Sequence, residues 1–252
     1  MATAAAGDGV KSVARVFDLL ELIADAGGSV TLSELSTSAG LPLPTIHRLL
    51  RTLVSLGYAR QLQNRRYALG PRLVRLGEVA NRQFGHIAMP QLKDLVERLG
   101  ETANLATIDG DRVIYVSQAP SPHAMRMFTE VGRRVYMHNS GVGKAILAQL
   151  DDSEVRDIVS RAGLPRATDH TIDSVDKLLA DLNEIRRRGY AIDDGEQDIG
   201  VRCYAMAVPN MPVPTAVSVS GPRTRVDDAF GERAVPVLHE IAGEISALAN
   251  AE

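Results

Sequence analysis

The 252 residues include a single cysteine, Cys203, no tryptophan and only 4% aromatic side chains. One thiol cannot close an intrachain disulfide, and it leaves nothing with which to build a multi-thiolate metal site. The six histidines, at 47, 86, 123, 138, 170 and 239, never fall three or four positions apart, so no helix face carries a local metal-binding pair and no metal is expected. Also missing is any run approaching the ~18 apolar residues of a membrane span. The first nine residues, MATAAAGDG, have neither the basic start nor the apolar stretch of a signal peptide. They read as a disordered tail, which places the protein in the cytoplasm. A phosphate loop is incomplete as well. In Ser140-Gly-Val-Gly-Lys144-Ala145, His138 stands where the first glycine is required and Ala145 replaces the hydroxyl that would hold magnesium. Neither a nucleotide nor any other cofactor is expected.

Acidic side chains are absent from one long stretch. From Leu41 to Gly77 there are seven arginines and no Asp or Glu, in a chain whose net charge is -3. Residues 1–77 hold nine Lys and Arg against five Asp and Glu, whereas 78–252 hold nineteen against twenty-six. Ordinary surfaces mix signs, so this asymmetry points to a polyanionic partner for the first part alone. Nucleic acid fits better than a membrane surface, because lysine-rich faces set opposite Trp or Phe are missing. With 45% hydrophobic and 23% charged residues, the composition is that of a soluble globular protein, and the length allows two domains that each bury a core.

In the basic part, Val13, Val16, Phe17 and Leu20 recur at helical spacing, widened by Leu19, Leu22 and Ile23, and Gly27-Gly28 ends the run. Thr31-Leu-Ser-Glu34 has capping-box spacing and predicts a short helix over about 32–39, closed by Gly40. Pro44 suits the first position of a third helix, whose buried stripe is Ile46, Leu49, Leu50, Leu53 and Leu56. That leaves Thr45, His47, Arg48, Arg51, Thr52 and Ser55 on the other faces. Two short helices with a basic second one are the layout of a helix-turn-helix whose recognition helix enters the major groove. Strand-like 58–62 and 66–69, turning at Gln63-Asn64-Arg65, complete a winged form with Arg65 and Arg66 at its tip. The expected DNA-facing set is Thr31, Pro44, Thr45, His47, Arg48 and Arg51, with Arg65 and Arg66 on the backbone or in the minor groove.

The remainder reads as mixed strands and helices, hence α+β. A helix over 73–84 links the parts, with the boundary near Gly85, and Pro90 opens a helix over 91–99 ended by Gly100. Strands are expected at 104–108 and 113–117 around Asp109-Gly110, then at 125–128, 190–193, 203–208 and 215–220. Helices are expected at 143–149, 153–161, 175–188 and 227–249, with Arg186 to Arg188 suiting a helix C-terminus. In Ala216-Val-Ser218-Val-Ser220-Gly221 alternation sets both serines on one face and both valines on the other. That hydroxylated stripe either faces water or lines a ligand site.

The stretch SVARVFDLLELIADAGGSVTLSELSTSAGLPLPTIHRLLRTLVSLGYARQ, followed by Tyr67-x-Leu-Gly70, resembles the DNA-binding domain of IclR-type transcriptional regulators. The likeness continues through Gly189-Tyr-Ala-Ile-Asp193-Asp-Gly-Glu196 and Cys203 and covers about residues 10 to 248. It implies a winged helix-turn-helix over 10–72, a linker helix over 73–89, and an effector-binding and oligomerisation domain over 90–250. In that last domain a curved antiparallel sheet is flanked by helices in a GAF/profilin-like arrangement. Within the family, the chain is similar to regulators of allantoin and glyoxylate use, through Gly100-Glu-Thr-Ala-Asn104, His138-x-Ser-Gly-x-Gly-Lys144 and Ser218-x-Ser-Gly-Pro222. The resemblance implies a small carboxylic acid effector, a glyoxylate-like oxo or hydroxy acid, facing Gly141, Val142, Asp193, Cys203, Ser218 and Ser220.

Three functions follow. The first is a regulator, a repressor by the resemblance, with effector-controlled affinity for DNA. The second is an enzyme using Cys203 as nucleophile with His138 or His239 as base. The third is a constitutive DNA binder whose second domain only oligomerises. One recognition helix per chain reads few base pairs, so self-association, as a homodimer or dimer of dimers, on a near-palindromic double-stranded operator is expected. Cys203 itself is either a pocket residue or an inert core thiol.

Overall fold

The computed structural model describes residues 10–84, 88–127 and 129–251. The tail at 1–9 and the boundary expected near Gly85 lie outside the described residues. The chain separates into two compact units that meet at Ala80 and Asn81, inside helix α4 (Arg72–Phe84).

The first unit begins with α1 (Lys11–Asp25), which buries Leu19, Leu20 and Ile23. Val13 and Phe17, expected in the same stripe, lie outside: Phe17 is 61% exposed. A 15-residue helix on so small a unit meets its neighbours along a narrow strip, and the apolar stripe is wider than that strip. Helix α2 (Leu32–Ala39) starts on the capping box read from the sequence. Thr31 Oγ1 accepts the Glu34 N–H at 3.2 Å and Glu34 Oε2 accepts the Thr31 N–H at 2.7 Å. Gly40 ends it with φ 63°, a conformation glycine adopts without steric cost. Helix α3 (Leu43–Ser55) starts one residue before Pro44 and buries Ile46, Leu50 and Leu53; Leu56, expected in the stripe, is exposed beyond its end. Strands β1 (Ala59–Gln61) and β2 (Tyr67–Leu69) form an antiparallel hairpin, and Val30 bridges to Tyr67. The hairpin base is tight. A Cβ on Gly70 would stand 2.2 Å from the Gly57 carbonyl oxygen, so only glycine fits there.

The second unit is built on a six-stranded antiparallel sheet in the order β5-β4-β3-β8-β7-β6. The strands are β3 (Thr102–Asp109), β4 (Arg112–Ala119), β5 (Arg134–Tyr136), β6 (Ala191–Asp194), β7 (Val201–Val208) and β8 (Thr215–Pro222). Helices α6 (Gly141–Leu147), α7 (Asp152–Ala162) and α8 (Val175–Arg188) pack an apolar core with Ala106, Val113, Tyr115, Ala205 and Ala216 of one face. Helices α5 (Met89–Leu99) and α9 (Asp228–Ala249) pack a second core with Ala103, Leu105, Tyr204, Val217 and Val219 of the other. Two faces both covered explain why β8 is buried along nearly its whole length.

One expectation fails here. No strand forms at 125–127; the carbonyls of Met125 and Met127 accept side-chain donors instead, from Arg225 and Thr102. The sixth strand is β5, whose three residues are too short to show alternation. The arginines ending α8 also do more than suit its dipole: Arg186 donates to the Ala148 and Leu150 carbonyls and to Asp152, so it ties α8 to the segment joining α6 and α7. Among the described residues no helix is long and apolar enough to cross a membrane.

Candidate nucleic-acid interface and ligand site

The capping box starts α2, Gly40 turns the chain, and the buried Ile46, Leu50 and Leu53 then orient α3 so that His47, Arg48, Arg51, Thr52 and Ser55 are solvent-exposed. These five line a shallow hollow on the surface of the helix. Pro44 is exposed at the helix start and Thr45 half-buried. Arg65 sits at the hairpin tip with φ 62°, and the Leu62 carbonyl accepts its N–H at 2.9 Å. It is exposed, as expected of a wing residue.

Arg66 departs from the expectation of a free wing cation. Its Nε donates to Ser29 Oγ at 3.1 Å, and its Nη2 to the Ser29 carbonyl at 2.8 Å and to Glu34 Oε2 at 3.3 Å. Glu34 is held below the usual carboxylate range chiefly by the Thr31 N–H, so it stays ionised beside the guanidinium. Arg66 thus fastens the wing to the capping box, and Thr31 is engaged in the same network. Thr52 and Ser55, outside the expected DNA-facing set, belong to the exposed face on helical spacing alone. Arg72 is engaged too, donating to the Leu56 carbonyl at 2.9 Å.

In the second unit the register of the sheet assembles polar residues from distant parts of the chain. Thr102 pairs with Ser220, Ser220 with Cys203, and Cys203 with Asp193, so one row crosses β3, β8, β7 and β6. In the next row Gln118 pairs with Asn104 and Asn104 with Ser218. Because side chains alternate, all of these lie on the face that α6 covers. Ser218 is 1% exposed and Ser220 5%, so the stripe does not face water. Asn104 donates to Ser220 Oγ at 3.3 Å and Gln118 to Asn104 Oδ1 at 3.2 Å.

Helix α6 begins directly above this row. A Cβ on Gly141 would lie 2.9 Å from Cys203 Sγ and 3.3 Å from Ala205 Cβ. Val142 packs into the apolar core, and the helix is capped by Ser140, whose Oγ accepts the Gly143 N–H at 3.2 Å. The Gly143 amide at the start of the helix is therefore already satisfied. On the same helix Lys144, 2% exposed, places Nζ 2.5 Å from Glu196 Oε1 and 2.9 Å from Asp181 Oδ2. Burial opposes its charge, but the two carboxylates outweigh that and raise its pKa. Asp193 accepts the Glu196 N–H at 2.8 Å; burial, then the Glu196 charge, pushes its carboxyl up to about 7.

Burial likewise pushes the Cys203 thiol up to about 12, with Asp193 adding to the shift. A neutral thiol is a poor nucleophile, and neither expected base serves it. His138 Nε2 bonds the Pro165 carbonyl at 3.2 Å, and burial lowers its pKa. His239 lies on α9, against the opposite face of the sheet.

Asn104, Gln118, Lys144 and Asp181 were not among the expected ligand-facing residues. Thr102 and Asn104 carried a signal, two polar positions at period two alternating with the apolar Ala103 and Leu105. Lys144 and Glu196 each end a motif of the family resemblance, but nothing in the sequence joins them to each other or to Asp181, and the three come from different elements.

A basic recognition helix beside a hairpin wing defines the first unit as a winged helix-turn-helix DNA-binding domain. Family models described as "IclR helix-turn-helix domain" and "Bacterial transcriptional regulator IclR C-terminal" match residues 12–63 and 77–247. The transcriptional repressor IclR of Escherichia coli (strain K12) is 38% identical over 252 residues, covering 96% of this chain and 92% of that protein. The transcriptional repressor AllR of the same organism is 32% identical over 228 residues, covering 88% of this chain and 84% of its own. The crystal structure of an IclR transcriptional regulator from Alicyclobacillus acidocaldarius matches with a TM-score of 0.84 at 31% identity, covering 96% of this chain and 99% of that one. The chain belongs to the IclR family of bacterial transcriptional regulators. Its relatives are regulators, not enzymes, and the Cys203 nucleophile reading falls with them.

Proposed function

We propose that the protein is a cytoplasmic repressor whose affinity for a near-palindromic operator is set by a small organic acid, a glyoxylate-like oxo or hydroxy acid. The acid sits in the second unit against Gly141, Val142, Asp193, Cys203, Ser218 and Ser220. One observation carries this reading: hydroxyl, thiol, amide and carboxyl groups in register across adjacent strands, nearly all shut off from water, in a face that otherwise offers Ala106, Val113, Tyr115, Ala205 and Ala216. Buried polar groups cost stability unless something pairs with them, and a small polar ligand does so. Thr45, His47, Arg48 and Arg51 read base edges, and Arg65 meets phosphate or the minor groove. Residues 10–72 act as the DNA-binding domain, 73–89 as the linker and 90–250 as the effector and oligomerisation domain. Pairing of two chains is supported by the exposed Val10, Val13 and Phe17 on one side of α1, apolar area that a second subunit would cover.

The test is a thermal-shift screen of small oxo and hydroxy acids, glyoxylate and pyruvate among them, followed by operator titration with each hit. A ligand at ~100 times its dissociation constant adds about 2.7 kcal/mol to the unit that binds it. Saturable stabilisation together with altered operator affinity supports the reading. Operator binding that no acid alters refutes it in favour of constitutive DNA binding.

A further inference from the structure

Asp193 raises a question of charge. The elements packed around it supply one buried cation, the Lys144 ammonium of α6, and that cation is already shared by Glu196 of the β6–β7 loop and Asp181 of α8. From β7 comes Cys203 and from β4 Tyr115, both neutral because burial raises their pKa values. The charges of Arg133 and Asp198 are felt at Tyr115 with opposite sign and leave the balance unchanged. Asp194, next along β6, points to the other side of the sheet and pairs with Arg202 and Arg223. The region therefore carries two carboxylates, the buried Glu196 and the partly exposed Asp181, against one ammonium before Asp193 is counted, and a bound carboxylate would add a further negative charge.

We propose that the acid site described above admits its anionic effector together with one proton, which Asp193 holds in the complex. The inference rests on the acid-binding reading. Small carboxylic acids ionise near pH ~4, so the ligand arrives as an anion. Two carboxylates sharing one buried site cannot both ionise cheaply, and the one already destabilised by burial takes up the proton. Asp193 is 5% exposed, and its Oδ1 accepts the backbone N–H of Glu196; no arginine or lysine bonds it among the described residues. As a neutral acid it also gains an O–H, which can donate to a ligand oxygen where the carboxylate would only accept.

The free carboxyl titrates at about 7, and a bound anion raises it further. Linkage then sets the sign. Below that value Asp193 is protonated with or without ligand and affinity is flat; above it the complex holds more protons than the free protein, so affinity falls as pH rises. The repressor thus responds to an acid and to pH together.

Calorimetric titration of the full chain with glyoxylate, in phosphate and HEPES at about pH 8 and in phosphate and MES at about pH 6, counts the protons exchanged. The expected result is uptake of about one proton per site at the higher pH and close to none at the lower. Affinity should weaken by up to ~10-fold per pH unit above neutrality. Asp193→Asn should lose the uptake and flatten the pH profile. Wild-type binding with no uptake, or with proton release, at pH 8 overturns the proposal and leaves the acid reading standing. Uptake that persists in Asp193→Asn overturns the assignment to Asp193. Absence of binding by glyoxylate and by pyruvate, the second titrated in the same way at both pH values, refutes the proposal together with the acid reading on which it rests.

Discussion

Replacing Lys144 by methionine keeps most of the unbranched side chain, one atom shorter, and removes a charge that lies 2.5 Å from Glu196 and 2.9 Å from Asp181. The two carboxylates would not suffer equally. Asp181 keeps 27% of its side-chain surface and water can screen it, whereas Glu196 keeps 11% and would stay desolvated. At an effective dielectric of ~20 each contact is worth roughly 6 kcal/mol before desolvation is charged against it. Breaking a buried pair by deleting one partner costs about 3–5 kcal/mol net, a large share of the ~5–15 kcal/mol that holds a domain folded. Lys144→Met should therefore destabilise the second unit by about 3 kcal/mol or more in urea denaturation followed by near-UV circular dichroism at about pH 7. The pH dependence gives a second reading. In the variant, burial with no ammonium to oppose it lifts the folded-state pKa of Glu196 further above its ordinary value. The penalty is present while Glu196 is ionised and is relieved as pH falls through that raised pKa. Lys144→Met combined with Glu196→Gln should recover most of the loss, because a neutral amide no longer needs the ammonium. A cost below about 1 kcal/mol, independent of pH, would refute the account and mean that the triad is open to water.

Other substitutions separate the roles in the DNA-binding unit. Arg48→Ala should relax sequence preference by about 1–3 kcal/mol at one base pair, read by comparing operator and random DNA in binding titrations. Arg65→Ala should weaken both DNAs alike and flatten the salt dependence by roughly one contact, whereas Arg66→Ala should lower the melting temperature of the first unit, because its bonds go to Ser29 and Glu34. A salt slope changed equally by the two would contradict that division. Gly70→Ala should destabilise the wing by about 1–3 kcal/mol, since the new Cβ must displace the Gly57 and Tyr58 backbone, 2.2 and 2.7 Å away; an unchanged melting curve would count against it.

What the sequence determined by itself is whatever depends on residues a few positions apart. The Thr31–Glu34 capping box, the left-handed glycine ending α2, the full extent of α8 and the alternation of Ser218 and Ser220 rest on local hydrogen bonds and on periodicity. The basic face of α3 was visible for the same reason, as were the glycine, aspartate and cysteine positions of the family resemblance. Tertiary structure alone decided which groups meet across the chain. Arg66 reaches Ser29 over 37 positions, Lys144 reaches Glu196 over 52, and Asn104 reaches Ser220 over 116. No propensity or spacing rule links residues so far apart, because strand order and helix packing set those contacts. Phe17 and Val13 show the same limit in reverse. Their spacing matched a buried stripe, but which part of an apolar face is covered depends on the width of the neighbour that packs on it.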